Sequence, residues 1–192
     1  DEKIVKCSFI NKYVSHKGNP RIYTDINVYP DASKCPANHY NSWKKFDVEL
    51  ISNDNFAEDK NGLNFILNHI NILCNHQKDV YEFVLDFFAH MFQFPAEKPG
   101  KFILFISKQG TGKGLLVELL NNMLGNDKVL DTTKPDKDCW GDFNGSMLNT
   151  YLVNFEELKF LSTKGSEGSF KNFITQKKMN INQKGKDCFE IR

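Results

Sequence analysis

The sequence predicts an α/β fold: a three-layer core, preceded by a helical hairpin and an irregular N-terminal segment. Three observations predict it. Residues 102–106 (Phe-Ile-Leu-Phe-Ile) are a continuous apolar run, the pattern of a strand buried on both faces. The small-residue loop 107–114 leads into a helical face of Leu115, Leu116, Leu119, Leu120 and Met123 that closes at Gly125. A further apolar strand over 151–155 runs directly into Glu156 and Glu157.

Residues 1–60 lack sustained periodicity. They mix short apolar stretches (Phe9 and Ile10, 21–23, Val28 and Tyr29) with turn formers such as Gly18-Asn19-Pro20. One or two short strands among loops are expected, with Tyr40, Trp43 and Phe46 anchoring a segment too poor in core residues to fold alone. Residues 61–95 change character. Leu63, Ile66, Leu67, Ile70 and Leu73 share one helical face, and Val80, Phe83, Val84, Phe87, Phe88 and Met91 share another. With a short link at 76–78 they form an αα-hairpin whose apolar faces need a partner surface. Residues 96–192 are then the α/β core, with a further short strand at 128–131.

Composition narrows the function. The chain has 192 residues, 40% hydrophobic and 26% charged, which fits one domain or one domain with an extension and excludes a disordered tail. No apolar run approaches the ~20 residues of a membrane span, and no basic-then-apolar stretch opens the sequence, so secretion is not expected. The chain opens on Asp1, which reads as a piece of a longer protein. Its five cysteines are scattered without C-x-x-C spacing, and His69, His76 and His90 share no ligand spacing. Reduced intracellular thiols and structural or surface histidines follow. The near absence of arginine (Arg21 and Arg192) beside abundant Lys, Asn and Phe points to an AT-rich genome.

Charge is unevenly placed. Residues 159–192 carry eight basic and three acidic residues, whereas the remainder carries 17 basic and 21 acidic. A basic C-terminal quarter suits a polyanion, or is an ordinary solvated face.

The loop Ser107, Lys108, Gln109, Gly110, Thr111, Gly112, Lys113, Gly114 is a Walker A phosphate loop with Ser for the first Gly and Gly for the final hydroxyl residue. Gly110 and Gly112 allow the backbone to turn its N–H groups inward around phosphates. The helix from Lys113 through Leu115 directs its positive N-terminus at the same anion, and Lys113 supplies a point charge. The strand ending in Glu156 and Glu157 is a Walker B reading. Glu156 would hold Mg²⁺ through water, and Glu157 would orient and deprotonate the attacking water. Without a hydroxyl at Gly114, weaker metal affinity is expected rather than lost hydrolysis.

Beyond the acidic pair, Met179 and Ile181 alternate, Lys184-Gly185-Lys186 supplies a turn, and Phe189 and Ile191 alternate. The pattern is a β-hairpin bearing Lys177, Lys178, Lys184 and Lys186, suited to phosphate-backbone contacts that carry no sequence information, or an exposed hairpin whose lysines only solubilise it.

From residue 61 onward the order of features resembles the poxvirus-type and phage/plasmid-type primase–helicases, superfamily 3 helicases within the AAA+ ATPases. The resemblance is carried by "FQFPAEKPGKFILFISKQGTGKG", "NNMLGND", "GDFNGSMLNTYLVNFEEL" and "FKNFITQKKMNINQKGKD". It implies a P-loop NTPase core of the AAA+ type and an ATP-driven translocase on single-stranded DNA, assembled as a homo-hexamer in the full-length protein. It also implies ATP and Mg²⁺ as cofactors, viral or mobile-element genome replication, a possible primase domain in the same chain, and a location in host cytoplasm or nucleus. By position Lys113 is the Walker lysine, Glu156 and Glu157 the acidic pair, and Lys184 and Lys186 the hairpin facing DNA. Family members commonly carry Gly after the loop lysine, as Gly114 does here. Asp142, Phe143 and Asn144 match a family pattern without an evident chemical role. The family's sensor strand, which sits between the P-loop and Walker B strands, is absent up to Arg192, so an incomplete sheet and an inactive isolated chain are expected. Two other readings stand beside this one: a catalytically silent P-loop module for nucleic-acid binding or assembly, and a small-molecule kinase, for which no lid or acceptor site is found.

Overall fold

The computed structural model describes residues 8–16, 18, 21–51, 57–156, 166–185 and 187–191. A short exposed helix, α1 (Phe9–Val14), precedes two paired strands, β1 (Asp25–Asn27) and β2 (His39–Asn41). The helical pair α2 (Lys60–Leu73) and α3 (Lys78–Gln93) follows, then α4 (Lys113–Leu124), β3 (Val129–Thr132), the one-turn α5 (Pro135–Asp138) and β4 (Leu152–Phe155). Helix α6 (Ser166–Thr175) leads to β5 (Met179–Ile181) and β6 (Phe189–Ile191). No described helix is long and apolar enough to cross a membrane.

The two long helices form where the 3.6-residue period places them. Asp59 caps α2 by accepting from the N–H groups of Asn61 and Gly62. The link between α2 and α3 turns through Asn75 and His76, both with positive φ (52° and 57°). Ile70 of α2, Cys74 at its C-cap and Val84 of α3 close on Leu116 of α4. Met91 of α3 meets Leu120 and Leu124 of the same α4 in a second cluster. The apolar stripe is wider than its buried part, since Leu63, Val80 and Phe83 are exposed.

Three two-stranded sheets form among the described residues. Strand β1 pairs with β2 in parallel, and β5 pairs with β6 antiparallel. Strand β3 pairs with β4 in parallel, from Val129 opposite Leu152 to Thr132 opposite Phe155. The incomplete sheet expected from the sequence is reduced further among the described residues, where β4 pairs with β3 and 102–106 joins no ladder. In particular, 102–106 is not a ladder strand buried on both faces. Ile103 and Phe105 pack against the Ile70–Val84–Leu116 cluster, while Phe102 and Leu104 are exposed and Ile106 is 88% exposed. The segment alternates between core and solvent because a buried strand must place its N–H and C=O groups in a ladder, and no described strand pairs with it. The fold is mixed α/β, with three apolar clusters among the described residues. The third joins Cys139, Met147 and Ile181, with Val153, Phe155 and Phe173 packed on it.

In the N-terminal segment, strands form at 25–27 and 39–41, whereas Phe9 and Ile10 lie in α1. Anchoring falls to Trp43 and Phe46, because Tyr40 is 50% exposed. Phe46, 1% exposed, packs its ring 5.2 Å from Trp43, 5.5 Å from Phe92 and 5.1 Å from Tyr151. Tyr151 donates its hydroxyl to the Met91 carbonyl at 2.6 Å, and burial pushes its pKa up to about 12. Phe46→Ala is therefore expected to lower the unfolding free energy by about 3–5 kcal/mol in urea titrations. A loss under about 1 kcal/mol would refute a core role for this ring.

Candidate nucleotide site and basic hairpin

Helix α4 starts at Lys113, immediately after a loop that two glycines bend. Gly110 (φ 79°) and Gly112 (φ 84°) both occupy the left-handed region, where a side chain is penalised. The Lys113 ammonium folds back inside this loop. It donates to Ser107 Oγ at 2.6 Å and to the Lys108 carbonyl at 3.1 Å. Ser107 Oγ lies 2.6 Å from Thr111 Oγ1, which donates to the Lys108 carbonyl at 3.1 Å. Ser107, the departure from the usual first glycine, thus holds Lys113 and Thr111 in one network. Lys108, Gln109, Gly110, Gly114 and Leu115 are exposed, and a side chain at Gly114 would meet nothing within 4 Å.

Glu156 follows β4, its N–H donating to the Thr132 carbonyl at 3.2 Å. A groove of about 250 Å³ joins the two halves of the candidate site: Gly114, Val117, Glu118 and Asn121 of α4 face Asp131, Asn154 and Glu156. The structure therefore brings Glu156 to the first turns of α4. Glu157 lies outside the described residues. Asp131 and Asn154, opposite each other in the β3–β4 register, are joined by an Asn154 Nδ2 to Asp131 Oδ1 bond of 2.9 Å. Sequence reasoning missed Asp131. The available signal was a carboxylate within the strand predicted at 128–131. No group of three or more His, Cys, Asp or Glu suited to a metal exists among the described residues. The Asp131 and Glu156 carboxylates are hard oxygen donors of the kind Mg²⁺ takes, one or two from protein and the remainder from phosphate and water.

His69, expected to be structural or superficial, reaches the loop from α2. Its Nε2 stands 3.0 Å from the Gly112 carbonyl oxygen. A lone histidine on an amphipathic helix carries no sequence signal for this contact.

The basic hairpin is present as β5 and β6, with Lys184 and Gly185 in its turn and Gly185 at φ 77°. Lys177 and Lys184 are exposed. Lys178 is instead paired across the strands with Glu190 at 2.6 Å, and Lys186 lies outside the described residues. The 142–144 segment, without a chemical role in the sequence, docks this hairpin. Buried Asn144 donates Nδ2 to the Asn180 carbonyl and accepts at Oδ1 from the Asn182 N–H, each at 2.9 Å. Asn182 Nδ2 returns a bond to the Asp142 carbonyl at 2.6 Å. Asn144 thereby acts as a one-residue ladder partner for the end of β5. Its neighbour Phe143 is exposed.

Residues 105–192 match a family of unknown function, DUF5906. The chain is similar to a DNA primase-polymerase of Nitratiruptor phage NrS-1, 27% identical over 135 residues, covering 60% of this chain and 18% of that protein. Its fold is similar to the apo structure of the NrS-1 C-terminal region, with TM-score 0.66 and 22% identity, over 86% of this chain and 40% of that one. A second apo form of that region gives TM-score 0.61 and 23% identity over 80% and 35%. The chain thus spans under a fifth of the phage protein and two fifths or less of the solved chains. These likenesses relate it to a phage DNA primase-polymerase and show a shared mixed α/β fold.

Asn144→Ala leaves the Asn182 N–H and the Asn180 carbonyl without their side-chain partners. A loss of about 1–3 kcal/mol is expected, with faster hydrogen exchange confined to 179–191. Exchange that rises equally throughout the chain would mean that Asn144 supports the whole fold rather than the hairpin.

Proposed function

We propose that this chain carries the nucleotide-hydrolysing site of a DNA replication protein from a phage or related mobile element. One observation carries the reading. A loop bent by two left-handed glycines at the start of α4 encloses the Lys113 ammonium, and Glu156 faces that helix across a shared groove. Likeness to a phage DNA primase-polymerase supports the replication role.

In this reading the N–H groups of 110–114 and the N-terminus of α4 hold the β- and γ-phosphates of ATP. Lys113 exchanges its neutral oxygen acceptors, Ser107 Oγ and the Lys108 carbonyl, for charged phosphate oxygens, which make stronger bonds. Glu156, with Asp131 beside it, is placed to hold Mg²⁺ through water, since Gly114 offers no hydroxyl. The ion, when bound, neutralises charge that develops on the phosphate oxygens. Glu157 takes the role of base for the attacking water. Leu115, exposed in the first turn, borders the nucleotide. Lys177, Lys184 and Lys186 contact single-stranded DNA through its phosphates, whereas Lys178 holds the two hairpin strands together through Glu190. In finer terms this is a superfamily 3 helicase of the AAA+ type, working as a homo-hexamer.

A second reading is favoured by a specific observation: Gly114 lines the groove where the motif's metal-binding hydroxyl would stand, and it brings no side chain there. A P-loop module that binds nucleotide or nucleic acid without turnover fits that arrangement.

ATPase assays on the intact protein with single-stranded DNA separate the two. Stimulated hydrolysis should fall by about 10²-fold or more in Lys113→Ala, with loss of nucleotide binding, and as far in Glu156→Gln with binding kept. Binding without hydrolysis in the parent would establish the silent module. For the hairpin, Lys184→Ala should reduce the slope of log affinity against log salt by about 0.7 on single-stranded DNA. An unchanged slope would mean that Lys184 touches no phosphate.

A further inference from the structure

We infer that His69 is a positioning residue of the phosphate loop, holding the peptide between Gly112 and Lys113 in the one orientation that aims the Lys113 N–H into the loop. The contact is specific. His69 Nε2 lies 3.0 Å from the Gly112 carbonyl oxygen, and a carbonyl only accepts, so the ring carries its proton at Nε2. The same ring covers Gly112 so closely that a Cβ there would stand 2.4 Å from His69 Cε1. Gly112 must therefore be glycine twice over, for its φ of 84° and for the ring above it.

A trans peptide points its C=O and its N–H in opposite directions. The Gly112 carbonyl accepts from the Leu115 N–H at 3.1 Å as well as from His69, so the Lys113 N–H faces the opposite way, towards the loop 107–112. Glycine on the N-terminal side of that peptide leaves it able to rotate, because no Cβ opposes the alternative. At a helix end that frays, the bond from His69 reinforces the one from Leu115 in selecting between the two. His69 is itself held in place: its neighbour Ile70 is buried against Leu116, one turn into α4. Adjacent residues of α2 thus grip the N-cap and the first turn of the helix that follows the loop. Helix α2 sets both the position of α4 and the direction of one of its anion-binding amides.

This inference rests on the proposed nucleotide reading for its functional consequence, but not for its geometry. Three variants of the intact protein test it. His69→Phe keeps ring volume without a donor, His69→Gln restores an amide donor at similar reach, and His69→Ala removes both. Mg²⁺–ADP should bind about tenfold more weakly to the Phe and Ala variants, with Gln within threefold of the parent, as loss of one hydrogen bond aimed at a charged group predicts. The ¹³C shift of the Gly112 carbonyl, which reports the hydrogen bonds that carbonyl accepts, should move in Phe and Ala when measured without nucleotide and return to the parent value in Gln. Equal shifts in the parent and Phe would overturn the inference whatever the nucleotide results. If parent and Lys113→Ala alike fail to bind Mg²⁺–ADP, the nucleotide reading fails, and a moved Gly112 shift in Phe alone would still sustain the orientation claim. Equal ADP affinity in parent and Phe would remove its functional part.

Discussion

The structure depends on the burial of α4 at two places along one helix. Leu116 enters the cluster formed by α2 and α3, whereas Leu120 and Leu124 enter the cluster formed by Phe46 and Met91. Each such side chain contributes about 1.5–3 kcal/mol on burial, and together they fix both the axis and the rotation of α4. That fixation determines where its N-terminus lies, hence where the loop 107–112 must close. Phe46 and Trp43 bring the N-terminal segment to the C-terminal half of the helix, and the α2–α3 hairpin brings Ile70 to its first half. The hairpin and the segment at 43–50 are therefore parts of the support that holds the loop, although neither belongs to a phosphate motif.

Much of this was legible in the sequence, for identifiable reasons. The helices α2 and α3 were readable because an apolar period of 3.6 residues is local information. The loop conformation was readable because only glycine takes the left-handed region cheaply, as Gly110 and Gly112 do. The hairpin was readable from alternation and from Lys184-Gly185. What stayed hidden is tertiary. The apolar run at 102–106 reports that side chains seek burial, but not whether a neighbouring strand exists to receive its backbone. Asn144 and His69 act through bonds to residues 36 to 43 positions away, which no local pattern records. Asp131 gains meaning only from the β3–β4 register that sets it opposite Asn154. Lys178 looked like its neighbour Lys177 until Glu190 was placed across from it.

The loop and the hairpin are joined by contiguous aromatic packing. Phe155, the last residue of β4 and the neighbour of Glu156, stacks edge-on against Phe170 at 5.5 Å and Phe173 at 6.1 Å, both on α6. Phe102, at the start of the run leading to the loop, meets Phe170 at 5.1 Å. From the other side Lys98 donates to the Phe173 and Gln176 carbonyls, closing the end of α6 just before β5. Burial pulls the Lys98 ammonium below its ordinary pKa, and its place over the Phe173 ring, 5.0 Å from the centroid, offsets part of that cost. A displacement of β4 relative to 102–105 would therefore be felt by α6 through Phe155 and Phe170, and by the hairpin that α6 leads into.

Contiguity alone does not couple two sites. Coupling needs an element with two arrangements that both sites bias. The loop supplies such an element in the side chain of Lys113, whose donors are taken by Ser107 Oγ and the Lys108 carbonyl. A phosphate competing for those donors must break this network, and it releases Ser107 and Thr111 when it does. Ser107 follows the 102–106 run, and no described strand forms a ladder with that run to oppose its movement. On the proposed nucleotide reading, Ser in place of Gly at the first motif position would give the empty loop a defined alternative to an occupied one. The cost would be that an anion must displace an ordered lysine. The gain would be that occupancy of the loop changes the end of a segment that touches α6 directly through Phe102 and Phe170.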